Sequence, residues 1–164
     1  MGLSSEIRTL LDDVSYLQDE LEALKTVITA VPYAERPPGS VSILDVIAQL
    51  QEQQERYYRP LIEAIKTGRD SSAKVQTVDD DFRIQDSDAD VNSILNEAIK
   101  KRADYSNLLR DLPEEDWSQS IETPDGVKKV TELVREHIEY DRSQLKSIAE
   151  RVMALDQTRS APQH

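Results

Sequence analysis

His137 and Asp141 stand four residues apart in the segment His137-Ile138-Glu139-Tyr140-Asp141-Arg142-Ser143-Gln144-Leu145, inside a run of helical periodicity from Thr131 to Leu155. Side chains four apart meet on one helix face. An imidazole beside a carboxylate can act as a general base with its orienting acid, or as two ligands of a metal site. As structure, the pair is a hydrogen-bonded couple satisfying two polar groups at a helix interface. Polar residues recur at 137, 141 and 144, where a buried helix would present hydrocarbon, and polar groups in a core cost free energy unless paired. No Ser or Cys sits in a nucleophile elbow, and the other histidine, His164, is expected in a frayed tail.

Four amphipathic segments must position these residues. The first runs from about Ser4 to Ala30, with Ile7, Leu10, Leu11, Val14, Leu17, Leu21, Leu24 and Ile28 at helical spacings. Pro32, Pro37, Pro38 and Gly39 forbid its continuation. The second starts after Ser42, an N-cap with Asp45 three residues on, and ends at Gly68. Pro60 inside it cannot donate to the Arg56 carbonyl, which predicts a kink. Residues 69 to 90 are polar and acidic. Their aspartates, Asp79-Asp80-Asp81 and Asp86 to Asp90, lack the glycine and glutamate of a calcium loop and read as a solvated crossover. Asp88 or Asp90 caps a third helix reaching about Leu112, Pro124-Asp125-Gly126 signals a turn in a short hairpin, and a fourth helix begins near Thr131.

This pattern predicts an all-α four-helix bundle, one domain over residues 1–155 with a flexible C-terminal tail over 156–164. Within it Gln51 to Gln54 form a polar run. Gln53 flanks the apolar stripe, whereas Gln54 projects among Ile43, Ile47, Leu50, Tyr58 and Leu61 and needs a partner such as His137 or Asp141. Tyr57 and Tyr58 read as packing, and Trp117 as an anchor for the last loop or a pocket wall.

Composition narrows the function classes. Thirty-two acidic against 20 basic residues give a formal charge of −12, which repels nucleic acid and anionic membrane surfaces. Cysteine is absent, removing disulfides, thiolate metal sites and cysteine nucleophiles. No apolar stretch approaches about 20 residues. The expectation is a cytoplasmic protein.

The order of landmarks resembles a known family. Arg36-Pro37-Pro38-Gly39-Ser40-Val41-Ser42-Ile43-Leu44-Asp45-Val46-Ile47-Ala48-Gln49-Leu50 is similar to the second-helix start of the DinB/YfiT-like superfamily, Arg-Pro-x-Gly-x-Trp-Ser-Ile-x-Glu-Ile-Leu-Ala-His-Leu, with Val41 in place of the Trp. Arg102 to Leu112, Glu115-Asp116-Trp117, Gly126 and Val130 to Val134 resemble its third helix, loop and fourth-helix start. Asp141 to Ile148 resembles its ending, His-Asp-x-x-His-Leu-x-x-Ile. The resemblance implies a four-helix bundle, commonly dimeric, with zinc or nickel held by one histidine of helix two and two of helix four. The implied activity is metal-assisted thiol transfer, hydrolysis or isomerisation.

Those ligand positions fall here on Gln49, Tyr140 and Gln144. A carboxamide oxygen is a weak ligand for zinc or nickel, and an un-ionised phenol a weaker one. The expectation is therefore a divergent bundle without its three-histidine site and without a cofactor, catalytically inactive or binding a small molecule. Alternatives are a metal-dependent transferase or hydrolase on a rearranged site using His137 and Asp141, and a structural module that homodimerises.

Overall fold

The computed structural model describes residues 4–68, 75, 77–79, 81–84 and 90–160, and within them the chain is mostly helical. Helix α1 (Ser5–Ile28) is capped by Ser4, whose hydroxyl accepts from the Ile7 amide at 3.2 Å, and it buries Ile7, Leu10, Leu11, Val14, Leu17, Leu21 and Ile28. Helix α2 (Ile43–Gln53) opens on a reciprocal capping box: the Asp45 amide donates to Ser42 Oγ at 3.0 Å and the Ser42 amide to Asp45 Oδ2 at 2.8 Å. The kink predicted at Pro60 takes the form of a single π turn, Gln54–Tyr58, followed by α3 (Arg59–Thr67). Pro60 leaves the Arg56 carbonyl without its usual i+4 donor, and the Arg59 amide reaches back five residues to the Gln54 carbonyl. Gly68, at φ 70°, closes the rod in the left-handed conformation that glycine adopts at least cost.

Helix α4 (Val91–Arg110) is capped by Asp90, one of the two aspartates expected there. A single turn, α5 (Glu114–Trp117), then leads into an antiparallel hairpin, β1 (Ser120–Thr123) and β2 (Gly126–Lys129), with Thr123 opposite Gly126. Gly126 has φ 117°, and Thr123 Oγ1 ties the turn by donating to the Gly126 carbonyl at 2.7 Å. Helix α6 (Val130–Ser160) completes the chain, its helical backbone passing Leu155 to reach Ser160. Asp80, Asp86, Asp88 and His164 lie outside the described residues.

Side-chain pairings fix how the rods run. Glu6 pairs with Arg135 and Asp13 with Arg142, so α1 and α6 are parallel. On the α2–α3 rod, Ala48 and Glu52 share a cleft with Ser93 and Glu97, while Glu55 meets Lys101, so this rod and α4 are parallel as well. Val41 meets Arg151, Gln49 meets Gln144 and Tyr58 meets Glu136, so the rod is antiparallel to α6. Two parallel neighbours cannot be joined by a tight turn, which is why a long crossover separates Gly68 from Val91. Each rod packs on two others, α1 on α4 and α6, α2 on α4 and α6.

The core divides into two apolar clusters. One gathers Ile7, Leu10, Val14, Tyr57, Tyr105, Leu109, Leu133, Val134 and Ile138; the other gathers Leu17, Leu21, Ile47, Leu50, Leu95, Ala98 and Ile148. On three of the rods buried polar side chains mark the boundary, Gln53 and Gln54, Arg102, and His137 with Asp141; on α1 it falls between Val14 and Leu17.

Candidate functional site

The boundary layer is built around Arg102, on the buried stripe Val91, Leu95, Ala98, Arg102, Tyr105, Leu109 of α4. Its spacings of four and three keep the stripe on one helix face, so the position is interior by register. Only 1 % of the residue is exposed. A buried guanidinium needs an acceptor for each of its five N–H groups. All five are supplied. Nη1 donates to Asp141 Oδ2 at 2.7 Å and to the Val14 carbonyl at 3.1 Å. Nη2 donates to Asp141 Oδ1 at 3.0 Å and to His137 Nε2 at 3.1 Å. Nε donates to Gln54 Oε1 at 2.6 Å. Gln54 spends its own N–H on the Lys101 carbonyl at 3.1 Å. All four rods thus meet in one polar layer: Val14 from α1, Gln54 from the π turn, Arg102 from α4, and His137 with Asp141 from α6.

His137 and Asp141 do share a face, as their spacing predicts, yet they do not bond each other. Nε2 and Oδ1 are 3.7 Å apart, and Arg102 donates to both. Because His137 Nε2 accepts, the ring is neutral and carries its proton on Nδ1, which has no hydrogen-bond partner among the described residues. Tyr58 stacks on the imidazole at 4.0 Å between centroids, and Tyr105 meets it edge-on at 5.1 Å. Burial, then the Arg102 charge, hold His137 well below its ordinary pKa. Burial also pushes the Asp141 carboxyl up, while the Arg102 charge and its bonds pull the other way. The Tyr58 hydroxyl is pushed up by burial and by Glu136, to which it donates at 3.3 Å. At this layer His137 Nδ1 and the Tyr105 hydroxyl have no hydrogen-bond partner among the described residues, and both residues are buried.

The second group of candidates lies one to two turns away. Gln49, Tyr140 and Gln144 do come together. Gln144 Nε2 donates to Gln49 Oε1 at 3.4 Å, and the Tyr140 hydroxyl donates to the Gln49 carbonyl at 3.4 Å. Gln49 turns its own N–H to the Phe82 carbonyl of the crossover at 3.0 Å. It belongs to a polar rail on α2, Asp45, Gln49 and Gln53, spaced by four. Gln53 Oε1 accepts from the Val78 amide at 2.7 Å, and Asp45 Oδ1 accepts from the Ile84 amide at 3.0 Å. Arg36 forks onto Asp45 at 2.7 and 2.9 Å and also donates to the Ile84 carbonyl at 2.9 Å. Burial alone would raise Asp45; the bonds from Arg36, Ser42 and Ile84 outweigh it and hold the carboxyl well below the usual carboxylate range. The rail bonds backbone groups of the crossover residues Val78, Phe82 and Ile84.

Trp117 is buried in the first apolar cluster. Among the described residues no group of three or more His, Cys, Asp or Glu side chains is placed to hold a metal ion, and no helix is long and apolar enough to cross a membrane.

Arg102 is the residue that sequence reasoning missed. Along the α4 stripe the apolar positions step by seven from Ala98 to Tyr105, two turns that a buried stripe cannot skip. Arg102 fills that gap, and an interior arginine demands polar partners on the facing helices, which Gln54, His137 and Asp141 are. No protein-family model and no curated protein matches this chain.

Proposed function

We propose that this chain is a divergent DinB/YfiT-like four-helix bundle that acts without catalysis, its family metal site given over to holding the fold. One observation carries the reading. The two side chains that could serve as base and carboxylate, His137 and Asp141, are both acceptors of the saturated Arg102 guanidinium. The three family ligand positions support it, since Gln49 bonds the crossover and Gln144 bonds Gln49. The parallel α2 and α4 joined by a long crossover suit the family topology that the sequence resembles. Restoring the ligands tests the assignment: Gln49→His, Tyr140→His and Gln144→His together are expected to create a site for one zinc ion, read by calorimetric titration against the wild-type chain. A triple variant that folds and binds no zinc would show that these positions do not correspond to the family's site.

A second reading, homodimerisation, is favoured by the α1–α6 seam. Its lower half is a groove of about 360 Å³ lined by Leu24, Val27, Leu145, Ile148, Val152 and Met153. Val27 and Met153 are 47 % and 60 % exposed, and Tyr16, three turns up α1 from Val27, is 58 % exposed. Apolar side chains exposed together mark an association surface. A small-molecule ligand remains part of the proposal for the polar groups on α2 and α6.

A further inference from the structure

We infer that Asp141, His137, Gln54 and the Val14 carbonyl form a guanidinium receptor, filled in cis by the chain's own Arg102, and that the emptied receptor takes a free guanidinium ion and refuses a divalent cation. The inference concerns the interior layer alone and stands whether or not the chain belongs to the family proposed above.

Three features define the receptor. The first is stoichiometry: five acceptor sites, on four residues from three helical rods, meet five donors with none left over. An ammonium group offers three donors and would strand at least two of those acceptors. The second is shape. Both carboxylate oxygens take parallel bonds from the two Nη atoms at 2.7 and 3.0 Å, the fork geometry that a planar guanidinium presents. Acceptors at these distances stand roughly 3.5–4 Å from the central carbon. Divalent ions require ligands at about 2.0–2.6 Å, so the acceptors are spread too widely for a metal even though each is a metal-ligating type. The third is charge. Among the described residues Asp141 is the only carboxylate bonded to Arg102, and His137 accepts as a neutral ring. One negative charge balances a monovalent ion and leaves a divalent one half uncompensated in a dry interior. Tyr58 and Tyr105 wall the receptor through His137, and the Arg102 guanidinium carbon lies 5.8 Å from the Tyr105 ring centre.

The wild-type chain can be tested directly by nitrogen-15 NMR of arginine side chains. A guanidinium held by five bonds is expected to rotate slowly, giving separate signals for the four Hη protons of Arg102, assigned by their loss in Arg102→Lys. One averaged signal, like that of exposed arginines, would overturn the receptor. The second test empties it. Arg102→Ala is expected to melt roughly 6–20 °C below wild type, and millimolar methylguanidinium is expected to raise its melting temperature while leaving wild type unchanged. No recovery, or an equal recovery with methylammonium, urea or zinc, overturns the inference. Arg102→Lys, which keeps the charge, is expected to remain destabilised; wild-type stability in that variant also overturns it. Should the alanine variant fail to fold under every condition, the wild-type spectrum decides.

Discussion

At the scale of single residues, the cost of breaking the Arg102 layer differs with the partner removed. Asp141→Asn deletes the negative charge bonded to a buried guanidinium, and removing one member of a buried ion pair costs about 3–5 kcal/mol. We expect a loss of that size in chemical denaturation, with far less from Arg142→Gln, an exposed cation on the same helix. His137 carries a pH dependence whose sign follows from its depressed pKa. The folded chain holds the ring neutral while the unfolded chain protonates it at its ordinary value of about 6.5. Stability is therefore full above that value and falls as the pH drops below it, by at most about 1.4 kcal/mol per pH unit. His137→Gln should flatten this slope between about pH 6.5 and 5. At this scale the sequence was half legible. His137, Asp141 and Gln54 stand out as polar residues on buried faces, and Gln54 was expected to seek a partner on α6. That its partner is Arg102, which also separates His137 from Asp141, depends on four rods meeting at one level, and no local spacing reports that.

At the scale of elements, the polar rail on α2 explains why glutamines and an aspartate occupy positions a buried helix would give to hydrocarbon. Asp45, Gln49 and Gln53 take an amide, a carbonyl and another amide from Ile84, Phe82 and Val78. Two of these bonds protect a backbone amide, at Val78 and at Ile84, so hydrogen exchange can read those two separately. Gln53→Ala should speed exchange at the Val78 amide and leave the centre of α4 unchanged. Asp45→Ala should do the same at Ile84, and it also removes the acceptor of the Ser42 amide from the capping box. Local signals served best here. The capping box at Ser42, the cap at Asp90, the stop at Gly68 and the hairpin turn are all chemistry between residues within a few positions of one another. Pro60 showed that the second helix must be disturbed, and the tertiary packing chose a π turn as the form. The rail was not legible, because its partners lie more than twenty residues away along an irregular stretch.

At the scale of the molecule, the polar layer splits the interior into two apolar clusters and fixes the vertical register of four rods. A purely apolar interface tolerates sliding by a turn; a guanidinium that needs acceptors from three other directions does not. The long crossover follows from the parallel α2 and α4, and the punctuation of the sequence at Gly68 and Asp90 made it visible in advance. Association belongs to this scale as well. With a formal charge of −12, two copies repel unless an apolar face compensates. Sedimentation should show a dimer that Met153→Asp, in the groove beside Val27, converts to monomer; a chain that sediments as a monomer at high concentration would remove homodimerisation from consideration.

The proposal that His137 and Asp141 hold the fold and serve no metal is tested most directly by the metal content of the purified protein. After mild purification without chelators, we expect well below one equivalent of zinc, nickel or manganese in the wild-type chain, unchanged in folded His137→Ala and Asp141→Ala variants. One equivalent of any of these metals in the wild type, lost in either variant, would contradict it.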